Sequence, residues 1–220
     1  MVLNNLIMKC LDCKLAKNTV VYGIITLIIV VLSYNFLDIK VTTAIHSSDF
    51  FGTKISTLAS LMSQIASSKV WLIVTLIVTV ACIIRYLRNK TSNKLYTMSL
   101  SLILAILVAG GLKVLLARYR PEMLLFKNEY GFHFFSFKKA YNSMPSGHTT
   151  LSFAGLLAIA NFFEKKYITI IAIVLAIIVA VSRIIVLDHY VSDVILSAYI
   201  GSFCYLWAKS FVEGRQQDSK

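Results

Sequence analysis

Residues 95–121 read LYTMSLSLILAILVAGGLKVLLARYRP, and the fold class turns on how this stretch is interpreted. Its first eighteen residues carry no charge. Wound as a helix rising 1.5 Å per residue, such a run nearly spans a bilayer hydrocarbon core about 30 Å thick. A membrane-crossing helix is therefore predicted over Leu95–Leu116. Beyond it, Lys113, Arg120 and Pro121 place fixed positive charge and a helix-stopping residue together at one end.

The same reading extends in both directions. Asn18–Leu37, Val70–Leu87, Thr149–Phe163, Tyr167–Val186 and Tyr190–Phe211 are further apolar runs, giving an expected all-α bundle of six transmembrane helices. Some of these runs are short of the roughly 18 residues a span needs, so snorkelling and motif residues would complete their ends. The composition agrees: 58% of the 220 residues are hydrophobic, 15% are charged, and mean hydropathy is +0.76. Asn18–Leu37 resembles a secretory signal only in being apolar. It is longer than a signal core and no small-residue cleavage site follows, so a retained helix is expected. Ile55–Ala66 places Leu58, Leu61, Met62 and Ile65 at helical spacing, which predicts a short interfacial helix after the first span or a packed one. No repeat or soluble domain interrupts residues 1–220, so a single domain is expected, its motif region covering 113–193.

The formal net charge is +12. No basic helix or base-stacking platform accompanies it, so nucleic-acid binding is not expected. The charge follows membrane topology instead. With the first segment inside, twelve of the 22 Lys and Arg fall in inner segments, including Arg85, Arg88, Lys90 and Lys94. The remainder are diluted over two long outer loops or belong to the clusters described next. Positive charge retained inside predicts both termini in the cytoplasm. Of the four cysteines, Cys82 and Cys204 lie in apolar runs, and the Cys10-x-x-Cys13 pair lacks a second ligand pair. Neither a disulfide framework nor a metal site is expected.

Three polar clusters interrupt the apolar pattern: Lys113-x6-Arg120-Pro121, Pro145-Ser146-Gly147-His148, and Ser182-Arg183-x5-His189-x3-Asp193. Six spans would bring all three to one membrane face. Ionisable groups at membrane depth are costly and usually mark a site. Lys113 and Arg120, two helical turns apart, are expected on one face of the third span, where with Arg183 they would neutralise a phosphoryl group. Ser146 and the Gly147 backbone, at a helix start, suit an anion, and His148 can supply a proton to a leaving oxygen. His189 and Asp193 have the spacing at which a carboxylate holds one imidazole nitrogen and leaves the other free, which makes His189 the candidate nucleophile. Any one of these residues alone would more readily be a snorkelling or capping side chain. Their convergence is what argues for a site. His46 and His133 lie outside the clusters and are read as packed side chains.

Together the clusters resemble the three-part signature of the type 2 phosphatidic acid phosphatase family, matching it at every motif position over about 80 residues from Lys113 to Asp193. The resemblance implies a membrane-bound lipid phosphatase that needs no metal or cofactor. In it His189 forms a phosphohistidine, Asp193 orients it, His148 protonates the leaving group, and Lys113, Arg120, Ser146, Gly147 and Arg183 hold the phosphate. Its partner would be a phosphorylated membrane lipid; oligomeric state cannot be read. The aromatic loop between Pro121 and Pro145 is expected to be a lid or an interfacial anchor. Within it, Glu129–Ser136 is similar to loops of bacterial lipid A 1-phosphatases. Lipid A 1-phosphate therefore leads the expected substrates, ahead of undecaprenyl pyrophosphate and phosphatidylglycerophosphate. Compact size and minimal tails favour a bacterial inner membrane, with the site facing the periplasm.

Overall fold

The computed structural model describes residues 2–48 and 53–218. Its helices are α1 (Val2–Phe36), α2 (Asp38–Ser47), α3 (Lys54–Ile65), α4 (Ser68–Leu87), α5 (Asn93–Leu116), α6 (Pro121–Lys127), α7 (Gly147–Phe163), α8 (Lys166–Ile185) and α9 (Val191–Asp218). No strand occurs among the described residues, only an isolated bridge between Arg118 and Phe132.

Large apolar side chains point outward. Val20, Ile24 and Leu27 on α1, Ile73, Leu76 and Ile77 on α4, and Ile170, Ile171 and Val174 on α8 are all exposed. Water would not tolerate such a surface, but hydrocarbon does. The interior is built from small residues: Ser101, Ala105 and Ala109 on α5, Ala154 and Ala158 on α7, and Ala172 and Ala176 on α8. Lipid supplies no hydrophobic drive between helices, so close backbone approach has to hold them together. Gly155 and Gly201 mark the tightest points. A Cβ on Gly155 would lie 2.1 Å from the Trp71 ring, and one on Gly201 would lie 2.3 Å from the Thr150 carbonyl oxygen. Trp71 also donates its indole N–H to Ser152 Oγ at 3.1 Å, locking α4 to α7. The chain is thus a helical membrane protein with α7 at its centre, packed by α4, α5, α8 and α9.

Among the described residues, five segments are long and apolar enough to cross a membrane: Cys13–Phe36, Lys54–Leu87, Asn93–Leu116, Lys166–Ile185 and Val191–Arg215. The helix expected at Thr149–Phe163 is α7, whose 17 residues give a rod of about 26 Å, and it is not among these five. The helix expected at Ile55–Ala66 is α3, and the contact that documents it is packing: α3 lies against α8, with Ser63 buried beneath Arg183. The helix α2 was not foreseen from the sequence. Of the Cys10-x-x-Cys13 pair, Cys13 is a free, exposed thiol, while the Cys10 side chain lies outside the described residues.

Candidate active site

The end of α5 sets the site. The helix stops at Leu116 because Ala117 turns left-handed, with φ 42°, while its N–H still bonds the Lys113 carbonyl at 2.9 Å. Arg120 therefore does not continue the helical face of Lys113, as its spacing suggested. It is the N-cap of α6, with Pro121 at the first helical position, where its missing N–H costs nothing. The two cations still serve one place, reached by a turn. The loop that follows folds back onto this turn: Tyr119 N–H bonds the Gly131 carbonyl at 3.1 Å, His133 N–H the Ala117 carbonyl at 3.0 Å, and Arg120 N–H the Ala140 carbonyl at 3.0 Å. His133 stacks parallel to Tyr119 and meets Tyr141 edge-on. Phe126, Phe134, Phe135 and Phe137 face outward, while Tyr130 and Phe132 turn in toward Arg118.

Ser146 is the N-cap of α7, its oxygen accepting from Thr149 Oγ1 at 3.2 Å and from Thr149 N–H at 3.5 Å. Gly147 opens the helix with Lys113 and Ser68 beside it, since an added Cβ would meet Ser68 Oγ at 2.9 Å and Lys113 Cε at 3.8 Å. The first and second clusters therefore touch. His148 Nδ1 lies 3.2 Å from Ser68 Oγ on α4. That contact fixes one ring nitrogen and leaves Nε2 for other work. Lys113 Nζ donates to the Asn142 carbonyl at 2.8 Å.

The third cluster spans the α8–α9 turn. Asp188 joins two cations, accepting from Arg120 Nη1 at 3.1 Å and from Arg183 Nη2. Burial alone would raise the Asp188 pKa, but Arg183, His189 and Arg120 outweigh it and hold the carboxyl below its ordinary range. Arg183 also donates to Ser63. His189 precedes α9 rather than lying on it, and Asp193 occupies the first turn. The four-residue spacing brings them together across a cap, with His189 Nδ1 3.6 Å from Asp193 Oδ2. Asp193 reaches back to the Tyr190 N–H at 2.9 Å, a capping-box geometry. Burial pushes the His189 pKa down, the Asp193 contact opposes this, and Lys113 adds to the lowering, so the net effect favours the neutral imidazole. His148 lies within electrostatic reach of Arg183, His189, Asp188 and Lys113.

All eight residues expected at the site therefore gather at one end of the bundle. Sequence reasoning missed Asp188, Ser63 and Ser68, and also Arg118, Ser143 and Ser192 around Asp193 and Asp38 behind Arg118. Asp188 and Arg118 stand inside the motif spacers and had only their charge to mark them. Ser63 and Ser68 are distant in sequence and carry no signal. Beside the site, Met62, Val70, Trp71, Val74, Leu156, Leu175 and Val179 line an apolar groove of about 260 Å³. A larger cavity of about 670 Å³ lies at the other end of the bundle, between Tyr86, Tyr96 and Phe211, and contains no motif residue.

The chain is similar to several known proteins. A curated relative described as a lipid A 1-phosphatase, from Rhizobium johnstonii (strain DSM 114642 / LMG 32736 / 3841), is 35% identical over 97 residues. Those residues are 44% of this chain and 39% of the relative, so the match spans well under half of the relative's length. Among solved structures, the first transmembrane PAP2-type phosphatidylglycerolphosphate phosphatase from Bacillus subtilis superposes with a TM-score of 0.59 at 20% identity, covering 92% of this chain and 97% of that one. Aquifex aeolicus LpxE gives a TM-score of 0.56 at 20% identity, covering 78% and 94%. These two likenesses establish a common fold. A family profile for the PAP2 superfamily matches residues 94–217, more than half of the 220, and all three clusters fall within it: this chain belongs to the PAP2 superfamily.

Proposed function

We propose that the protein is an integral membrane phosphatase that hydrolyses a phosphomonoester or pyrophosphate of a membrane lipid, lipid A 1-phosphate foremost. The observation that carries this reading is the gathering of Lys113, Arg120 and Arg183 around two imidazoles, one of them facing a buried carboxylate. Three cations, the Ser146 hydroxyl and the Gly147 N–H would bind the phosphoryl oxygens and the charge that grows on them. With Nδ1 turned to Asp193, His189 presents its Nε2 lone pair. Attack on phosphorus forms the P–N bond as the P–O bond to the lipid breaks, and His148 gives the departing oxygen its proton. A water then attacks the phosphohistidine, His148 takes its proton, and phosphate leaves with His189 restored.

The apolar groove supports a lipid substrate. Its wall residues Met62 and Val70 adjoin Ser63 and Ser68, the partners of Arg183 and His148, so a chain lying in it would hang directly below the bound phosphate. The choice of lipid A rests on the lipid A 1-phosphatase relative and the similarity of the Glu129–Ser136 loop. Undecaprenyl pyrophosphate and phosphatidylglycerophosphate are the alternatives. Counting α7, supported on every side by other helices, gives six spans. Both ends of the chain would then face the cytoplasm and the site the periplasm of a bacterial inner membrane.

The test is phosphate release from detergent-solubilised protein offered each of the three lipids in the presence of EDTA. His189→Ala is expected to lower kcat by about 10³-fold or more and His148→Ala by about 10²-fold. Full activity in either variant would overturn the roles. Lipid binding without turnover of any of the three would favour a catalytically silent phospholipid-binding or transport protein.

A further inference from the structure

Arg118 lies in none of the three clusters' fixed positions, yet it is among the most completely enclosed side chains in the molecule, with none of its surface exposed. Both terminal nitrogens of its guanidinium are used, while the buried Nε has no partner among the described residues. Nη1 donates to Asp193 Oδ1 at 2.5 Å and to Ser192 Oγ at 2.6 Å. Nη2 donates to Asp38 Oδ2 at 2.7 Å and to the Tyr130 hydroxyl at 3.1 Å. The rings of Tyr34, Tyr130, Phe132 and Tyr190 surround the guanidinium, their centroids 4.4–5.6 Å from its carbon. Asp38, at the start of α2, is equally buried, and it also accepts from the Ser192 N–H at 3.0 Å and from Ser192 Oγ. It sits outside the segment shared with the superfamily.

Burying three charges is expensive, and an apolar triad of similar volume is often no less stable. A role beyond packing is visible in what the triad holds. Asp193 has no free oxygen: Oδ1 is on Arg118, while Oδ2 accepts from Ser143 Oγ at 2.5 Å and from Tyr190 N–H at 2.9 Å and faces His189. The carboxylate cannot rotate about its own axis. The His189 ring faces this fixed carboxylate, its Nδ1 3.6 Å from Asp193 Oδ2 and without a closer partner among the described residues, so where the carboxylate sits governs which way the ring can hydrogen-bond.

We infer that Arg118, anchored by Asp38, is a positioning residue that fixes Asp193 and through it aims His189, which makes the α1–α2 junction part of the catalytic apparatus. The inference rests on the reading of His189 as nucleophile. Lysine could supply the charge but not the fork that reaches both carboxylates. Asp38→Asn preserves shape while removing the charge that holds the far arm of the guanidinium.

The experiment uses the full chain in mixed micelles, with whichever of lipid A 1-phosphate, undecaprenyl pyrophosphate and phosphatidylglycerophosphate the wild type turns over. Turnover is expressed per active site, counted as trapped phosphohistidine, so that a misfolded fraction does not register. Arg118→Lys is expected to lower kcat per site by about 30-fold, and Asp38→Asn by about fivefold, each with KM within about twofold. Asp193→Asn combined with Arg118→Met should be no slower than Asp193→Asn alone, because one residue acts through the other. If the Arg118 variants do not fold, the shape-preserving Asp38→Asn decides. Wild-type kcat per site in Asp38→Asn or Arg118→Lys, a change confined to KM, or additive losses in the double variant would overturn the inference while leaving the phosphatase reading intact. Inactive His189→Ala beside active wild type upholds that reading. Full activity in His189→Ala, or no turnover of any of the three lipids, removes it and this inference with it.

Discussion

Asp188 sits where a phosphate would be expected to meet its ligands, between Arg120 and Arg183. In the proposed cradle, a resident carboxylate there would offset one of the three charges and compete with an incoming anion for the same donors. Asp188→Asn should therefore tighten inhibition by orthovanadate about threefold, a modest gain because the carboxylate is partly exposed. An unchanged or weaker inhibition constant would count against this role. His189 gives a second prediction. Its pKa is held below the ordinary histidine value by burial, with Lys113, Arg120, Asp188, Asp193 and His148 facing it. Because the folded protein keeps this ring neutral while the unfolded chain binds a proton below about pH 6.5, the contribution to stability is lost as pH falls below that value. Thermal melting in detergent should fall more steeply between about pH 6.5 and pH 5 for wild type than for His189→Gln; parallel curves would argue against it. At this scale the motif residues were legible because charge in an apolar chain stands out. Ser63 and Ser68 were not, since a serine at a helix start, as Ser68 is, looks like any cap, and one near a helix end, as Ser63 is, looks like any polar surface residue.

Helices were legible wherever a charge-free run matched the bilayer, as in α1, α4, α5 and α8. The exit from α5 was not. Pro121 announced a stop, but the chain leaves the helix at Ala117, a residue with no preference for a left-handed turn, because the N–H groups of 133–136 bond the carbonyls of 114–117 there. That turn separates Arg120 from the face of Lys113 and frees Arg118 to point inward. The groove between α3, α4, α7 and α8 is likewise a product of assembly, since Met62, Trp71, Leu156 and Val179 come from four separate elements. If it receives a lipid chain, Leu156→Trp should raise KM for the lipid substrate about tenfold while leaving hydrolysis of p-nitrophenyl phosphate within twofold, by analogy with the losses that follow filling an apolar pocket. Equal effects on both substrates would place the damage in the fold instead.

For the molecule as a whole, the distribution of positive charge sets orientation. In a cysteine-free background, Lys138→Cys in the 128–144 loop should react with a membrane-impermeant maleimide in intact bacterial cells, and Asn89→Cys between α4 and α5 only after lysis. The reverse pattern would invert the topology and place the site on the cytoplasmic side. The aromatic loop also divides at this scale. Its outward phenylalanines suit the headgroup region, while Tyr130 and Phe132 belong to the enclosure of Arg118. The sequence offered lid and anchor as alternatives, and the folded loop sends its rings in two directions.

What the sequence determined by itself was the solvent of the fold and which residues form the candidate site. Hydropathy is a property of each residue and survives any arrangement, and seven polar residues and Gly147 in three spaced clusters mark that site before any contact is known. What only the tertiary structure decided was who holds those residues. The pairing of Asp38 with Arg118 joins positions 80 apart, Ser68 reaches His148 over the same separation, and Arg183 finds Ser63 across 120 residues. No local pattern encodes such partners. They are chosen by which helices share a buried face, and each is held there because an unpaired polar group in that interior would be too costly to keep.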